Sequence, residues 1–245
     1  MNDGLNYLAR GFRMLNEPGV RQYAAGPLLI NIVLFASLIT FASQQFNYWT
    51  DYLLGQIPSW LGFLEFILWP LFVLLMLIIV IFSFTMLINI IGAPFNAILA
   101  EQVAERCTGQ APPSASETWA GTAASVPRSL IRELARLAYT LPMALGIWII
   151  TLIPAINVAA PLLWFLWGAW MMSIQYSDYA ADNNRVKFGN MRMVLGRNRA
   201  LTLSFGAAVT VATLIPIVNL FVMPAAVCGA TLLWCERLQS QCDTA

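Results

Sequence analysis

The segment Glu17-Pro18-Gly19-Val20-Arg21-Gln22 combines residue types and spacing that suit the capture of an anion. A helix starting just after Pro18-Gly19 aims backbone N–H groups, and a partial positive charge of about half a unit, at whatever approaches its end. Arg21 adds a planar set of donors matched to a tetrahedral oxyanion, with Gly19, Val20 and Gln22 as its immediate surroundings. The same arrangement suits a lipid phosphate, and helices often start at Pro-Gly for structural reasons alone.

Farther along, Asn31, Asn89 and Asn96 lie in or beside apolar stretches. A polar side chain there is costly unless it faces another helix or water, so these residues either hydrogen-bond between helices or line a pore. Glu101 and Glu105 share a helical face and Arg106 follows at once, a cluster able to neutralise itself or to gate a pathway. Asp178 and Asp182, within Gln175-Tyr176-Ser177-Asp178-Tyr179 and the following Asp182-Asn183, set two carboxylates four residues apart. That spacing is open to acid–base catalysis. The chain contains no His, however, which removes His-based triads and His metal sites. Capping and loop anchoring are therefore the expected roles for the two carboxylates.

No GxxxxGK[ST] phosphate loop occurs, so ATP hydrolysis by that route is excluded. Cys228, Cys235 and Cys242 recur every seven residues, too far apart to bridge within one helix, while Cys107 stands alone. They are expected to be small buried hydrophobes, with no metal or other cofactor.

The elements that must hold these groups follow from composition. Of 245 residues, 59% are hydrophobic and 10% charged, against about 25% charged in soluble domains. Such a chain cannot cover its own surface in water. An all-α integral membrane protein is expected, with residues 1–245 forming a single membrane domain in a lipid bilayer. The net charge is +1, and the thirteen basic residues, all Arg except Lys187, are scattered through short loops. Nucleic-acid binding is not expected.

Residues 3–15 place Leu5, Leu8, Phe12 and Leu15 at helical spacing, as in an amphipathic helix on the membrane surface, and this segment lacks the continuous apolar core of a signal peptide. A transmembrane helix is expected over 26–43 and a long one over 66–99. Between them, 44–65 carries Trp49, Tyr52 and Trp60 but no Lys or Arg, as an exposed turn with interfacial aromatics. Residues 101–136 form the principal loop. In it, Arg128, Arg132 and Arg136 recur every four residues as the solvated or headgroup-facing side of a surface helix, or as a device to steer anions.

The blocks 137–177 and 200–236 resemble each other: Thr151-Leu152-Ile153-Pro154 reappears as Thr213-Leu214-Ile215-Pro216, and Asn157 matches Asn219. The arm before each repeat is about sixteen residues, or ~24 Å, short of the ~30 Å of hydrocarbon. Each block thus reads as a helical hairpin that enters and turns back, its broken helices capped by Asn157 and Asn219. Such turns need shielding from lipid by neighbours, hence a homo-oligomer. This layout puts every basic residue on one side, which makes both termini cytoplasmic.

Taken in order, PGVRQY, GPLLIN, APFNAILAEQ with Arg106 and Gly109 beyond it, PLLWFLWGAWMMSIQYSDYAADN and TLIPIVNLFVMPAAVCGAT resemble the CysZ family, the sulfate transport proteins of bacterial cysteine biosynthesis. The likeness runs from about Gly11 to Trp234. It implies two long transmembrane helices with two partially inserted hairpins, assembled as homo-oligomers in the inner membrane of Gram-negative bacteria. It also implies sulfate binding at Gly19, Val20 and Arg21, with Gln22 standing where a second Arg is frequent. The pathway would be lined by Asn31, Asn89, Asn96, Glu101, Glu105 and Arg106. The activity implied is sulfate uptake for assimilation into cysteine, not enzymatic turnover. The rival readings are transport of a related oxyanion such as sulfite or thiosulfate, a non-transporting membrane scaffold, and an intramembrane enzyme using Asp178 and Asp182.

Overall fold

The computed structural model describes residues 3–18, 20–22, 65–113 and 119–242, with isolated positions between 33 and 52. For residues 79–94 and 119–130 the helical backbone alone is described. The chain forms two compact units, one of Met1–Ala24 with Asn96–Ala245 and one of Ala25–Phe95. All regular elements among the described residues are helical. They are α1 (Asp3–Met14), α2 (Glu65–Thr108), α3 (Trp119–Thr151), the single turn α4 (Pro154–Asn157), α5 (Ala160–Asn183), α6 (Phe188–Arg197), α7 (Arg199–Thr213) and α8 (Pro216–Leu233). A π-turn, Trp234–Leu238, and a 3₁₀ turn, Gln239–Gln241, follow α8.

In the first unit, α1 packs against α7 and α8. Its buried face is Gly4, Tyr7, Leu8, Gly11 and Met14, whereas Leu5, expected on the apolar row, is 57% exposed. Leu8 is buried and Phe12 and Leu15 pack against the core, as the apolar row predicts, and two glycines share that face for their smallness. A Cβ on Gly11 would fall 2.1 Å from the Ala225 carbonyl oxygen, and one on Gly229 would fall 2.7 Å from the Tyr7 oxygen. The two backbones therefore touch directly, the packing mode that membrane helices favour because lipid supplies no hydrophobic drive between them.

The helix expected over 66–99 runs on to Thr108, and its turns from Asn96 belong to the first unit. The extension is amphipathic: Leu99, Ala100, Val103 and Ala104 are buried while Glu105 and Arg106 face out. Gly109 ends it at φ 72 with its N–H on the Glu105 carbonyl, 2.8 Å away. A residue without Cβ is favoured at such a left-handed cap. The span expected over 26–43 lies largely outside the described residues.

α3 differs more. The expected surface helix and the first hairpin arm are one continuous helix of 33 residues. Its stretch Ile131–Thr151 and the stretch Phe221–Gln241 are each long and apolar enough to cross a membrane. On α3, Leu134, Leu141, Leu145 and Trp148 stand exposed, an outward apolar face that water would not tolerate but lipid does.

Both TLIP repeats break the chain where expected: α3 stops at Thr151 and α7 at Thr213. The caps differ from expectation. The helices that follow are led by Ala159 and Ile215 with no side-chain cap bond, not by Asn157 or Asn219. Pro161 and Pro216 occupy the first turns, where the missing proline N–H leaves one less donor to satisfy. The α7 arm is 15 residues, or about 22 Å at ~1.5 Å per residue.

The α5–α6 corner is a Schellman turn. Val186 N–H reaches the Ala181 carbonyl and Arg185 N–H the Asp182 carbonyl, both at 2.9 Å, with Arg185 at φ 60. Around these helices the core is built on Trp234, Phe205, Ile174, Met191 and Leu195, all fully buried.

Candidate functional site

The loop after α1 is tied down residue by residue. Asn16 N–H bonds the Arg13 carbonyl at 3.1 Å and Glu17 N–H the Met14 carbonyl at 3.0 Å. The amides of Val20 and Arg21 both donate to the Glu17 carbonyl at 3.2 Å. Val20 is fully buried in the core and acts as the loop's anchor, while Arg21 and Gln22 are exposed. Two of the amides expected to face an anion are thus already engaged, and the donor set the loop presents outward is the Arg21 guanidinium. Gly19 lies outside the described residues.

Arg106 reaches across from the last turn of α2. Its Nη1 meets Glu17 Oε2 at 2.8 Å and its Nη2 donates to the Pro18 carbonyl. A single guanidinium thereby grips both the side chain and the backbone of the segment leading to Arg21. The pair is open to solvent, 37% and 49% exposed, so its value is geometric more than energetic.

The remaining expected site residues fall in different settings. Asn96 is buried and its Nδ2 donates to the Tyr179 hydroxyl at 3.3 Å, an interhelical bond between α2 and α5. Glu101 is half-buried and Glu105 exposed. Asn89 sits on α2 where the backbone alone is described, and Asn31 lies outside the described residues. Asn183 reinforces the α2–α5 contact, its Nδ2 on the Ala97 carbonyl at 2.9 Å. Nothing in its sequence neighbourhood marks that role beyond a polar side chain at the end of an apolar helix.

Arg132 overturns the expectation of a solvated arginine row. Its side chain is 11% exposed and pairs with Asp178 at 2.6 Å and Asp182 at 3.4 Å, while Nη1 donates to the Val186 carbonyl at 2.6 Å. The two carboxylates are therefore anchors joining α3 to the α5–α6 corner. Burial raises the Asp178 carboxyl above its ordinary value, against the lowering pull of Arg132.

Sequence reasoning missed a second cluster. Glu236 accepts from the Tyr7 hydroxyl at 3.0 Å and takes a two-pronged contact from Arg10 at 2.9 and 2.5 Å. Arg10, Arg13, Met14, Glu17 and Leu232 line a small hollow of about 250 Å³ beside the loop.

With all regular elements among the described residues helical, two of those helices fit to cross a membrane and a lipid-compatible outer face on α3, the chain is, as a class, a helical membrane protein. The family model described as "Sulfate transporter CysZ/Etoposide-induced protein 2.4" matches residues 7–224, and the chain belongs to that family. Among its relatives, the sulfate transporter CysZ of Pseudomonas paraeruginosa is 47% identical over 233 residues, 94% of either chain. The protein of that name from Pseudomonas syringae pv. tomato is 48% identical over 231 residues, 94% of this chain and 91% of the relative. The one from Salmonella typhimurium is 41% identical over 234 residues, 95% and 92%.

Proposed function

We propose that the chain is a sulfate transporter of the bacterial inner membrane, taking up sulfate for assimilation into cysteine and catalysing no covalent reaction. The observation that carries this reading is identity of 41–48% along nine-tenths or more of relatives that are themselves named sulfate transporters.

Arg21 is the primary sulfate contact in this reading, with Gln22 beside it, Val20 as anchor and Arg106 as the positioning residue that sets the loop. Sulfate needs a grip strong enough to replace hydration and weak enough to release. Hydrogen bonds to a charged group contribute about 1.5–3 kcal/mol each, so one arginine gives a modest, reversible site. Beyond it, Asn31, Asn89, Asn96, Glu101 and Glu105 border the pathway along α2. The hairpins at 137–177 and 200–236 enter the bilayer in part, and the exposed apolar face of α3 packs against lipid and further copies in a multi-pass homo-oligomer.

The driving force is constrained by charge. Sulfate is a dianion, and carrying two negative charges inward against 100 mV costs about 4.6 kcal/mol, at ~2.3 per charge. That equals a concentration ratio of more than about a thousandfold. Transport therefore depends on low free sulfate inside, kept so by assimilation, or on coupling to protons. The test is labelled-sulfate uptake by purified protein in vesicles with membrane potential and pH gradient set independently. Sulfate-dependent flux that falls on Arg21→Ala supports the reading, and vesicles impermeable to sulfate under every gradient refute it.

A further inference from the structure

A larger groove lies away from the arginine loop. It runs between α3 and the α5–α6 corner and encloses about 1020 Å³, the upper end of the ~300–1,000 Å³ usual for small-molecule sites. Its floor is a row on one face of α3, Ile131, Ala135, Ala138 and Pro142, at positions i, i+4, i+7 and i+11. Its rim is basic. Lys187 and Arg192 line it together with Arg185, and Asp182 is the one carboxylate among the lining residues. Arg132, also in the wall, is already matched by Asp178 and Asp182, so the positive excess sits at the α6 end. There the Arg192 guanidinium carbon lies 4.4 Å from the centre of the Tyr139 ring, a cation–π contact that holds the charge in the groove wall. α6 opens at this point behind Lys187 with no side chain capping its first amides.

The groove thus pairs two kinds of wall. On one side are the exposed Lys187, Arg192 against the Tyr139 ring and the uncapped amides of α6, and on the other the apolar row of α3, within the stretch long enough to cross a membrane. A small inorganic anion would leave the apolar row unused, and a neutral lipid would leave the cations unmatched. We propose that this groove binds an anionic phospholipid, its phosphate at Lys187 and Arg192 and an acyl chain along Ala135, Ala138 and Pro142. The lipid bridges α3 to the α5–α6 corner from outside, beside the Arg132 clamp that joins the same elements from within. The assignment does not depend on sulfate transport.

Each cation near a lipid phosphate is worth about fivefold in binding, so two predict a preference of roughly 25-fold for an anionic over a zwitterionic headgroup. The experiment is native mass spectrometry of the full-length protein in detergent, titrated with phosphatidylglycerol against phosphatidylcholine. Wild type is expected to retain phosphatidylglycerol with that preference, and Lys187→Gln/Arg192→Gln to lose nearly all of it. Lys187→Gln alone, at an exposed position, is expected to lose about fivefold with the fold intact. Ala138→Trp is expected to weaken both lipids by filling the row. Equal retention of the two lipids by wild type, or an undiminished preference in the double variant, would overturn the proposal. So would displacement of phosphatidylglycerol by millimolar inorganic phosphate, or cross-linking of Ala138→Cys to a second copy in native membranes, which would make the groove an interface.

Discussion

If Arg106 acts by holding the loop and Arg21 by touching the anion, the two substitutions should not be independent. Arg106→Ala removes an ion pair whose members are 37% and 49% exposed, a kind that contributes about 0.2–1 kcal/mol, together with one charge-assisted bond to the Pro18 carbonyl. The unfolding midpoint in detergent should therefore move little. Arg21→Ala removes the sulfate contact itself, about 1.5–3 kcal/mol, or roughly 10- to 150-fold in affinity. Releasing the loop blurs that contact without abolishing it, and about 1 kcal/mol, near fivefold, is expected for Arg106→Ala. In the double variant the Arg106 effect should vanish, because there is no longer a guanidinium to position. The assay is a double-mutant cycle on the KM of labelled-sulfate uptake in vesicles, with Kd measured in parallel. Glu17→Gln, which leaves the Pro18 contact, should lie between wild type and Arg106→Ala. Full additivity, or a loss on Arg106→Ala larger than on Arg21→Ala, would refute the positioning role and place Arg106 against the anion instead.

Other substitutions probe the frame. Arg132→Met strands two carboxylates beside a mostly buried site, and a loss of about 3–5 kcal/mol is expected by thermal or denaturant unfolding, partly restored by adding Asp178→Asn. Because Asp178 titrates above its ordinary value in the fold, it favours the folded state below its unfolded value and loses that contribution as pH rises through the folded one. The Arg132→Met deficit should accordingly shrink as pH falls, and a pH-independent deficit would count against the ion-pair reading. Gly11→Ala forces a methyl to within 2.1 Å of the Ala225 oxygen, so α1 should separate at a cost of about 1–3 kcal/mol, seen as faster hydrogen exchange over residues 3–14. Arg185→Gly relieves a left-handed position and should raise the unfolding midpoint by the equivalent of about 1 kcal/mol, provided Val186 and Ala181 keep their bond.

The chain's own punctuation made part of this structure legible. α3 and α7 end just ahead of the proline of each TLIP repeat, although Pro142 in α3 and Pro224 in α8 end nothing, and the uncharged run from Phe66 marked most of α2 but not its extension to Thr108. The faces were harder. Arg128, Arg132 and Arg136 look like a solvated row because periodicity reports which side chains share a side, not whether that side meets water or two carboxylates 46 and 50 positions onward. Likewise the apolar row of α1 was legible in Leu8, Phe12 and Leu15, but not the exposure of Leu5 or the close backbone approach at Gly4 and Gly11. Glu236 was invisible as a partner of Arg10, since 226 residues separate them and neither lies in a motif. Of the anion loop, the residue types could be read directly, but the Arg106 tether could not, because nothing local to Pro18 announces a donor 88 residues away.

The backbone contact between α1 and α8 joins Gly11 to Ala225, far apart along the sequence, and this bears on the order of assembly. α1 has only part of its docking surface once α7 has been made, and the rest waits for α8. Arg10 waits for Glu236 in the same way, and the segment carrying Arg21 is fastened by its upstream side to a helix that cannot yet settle. A chain lacking α8 would therefore leave the Arg21 segment attached to an α1 that is only partly docked.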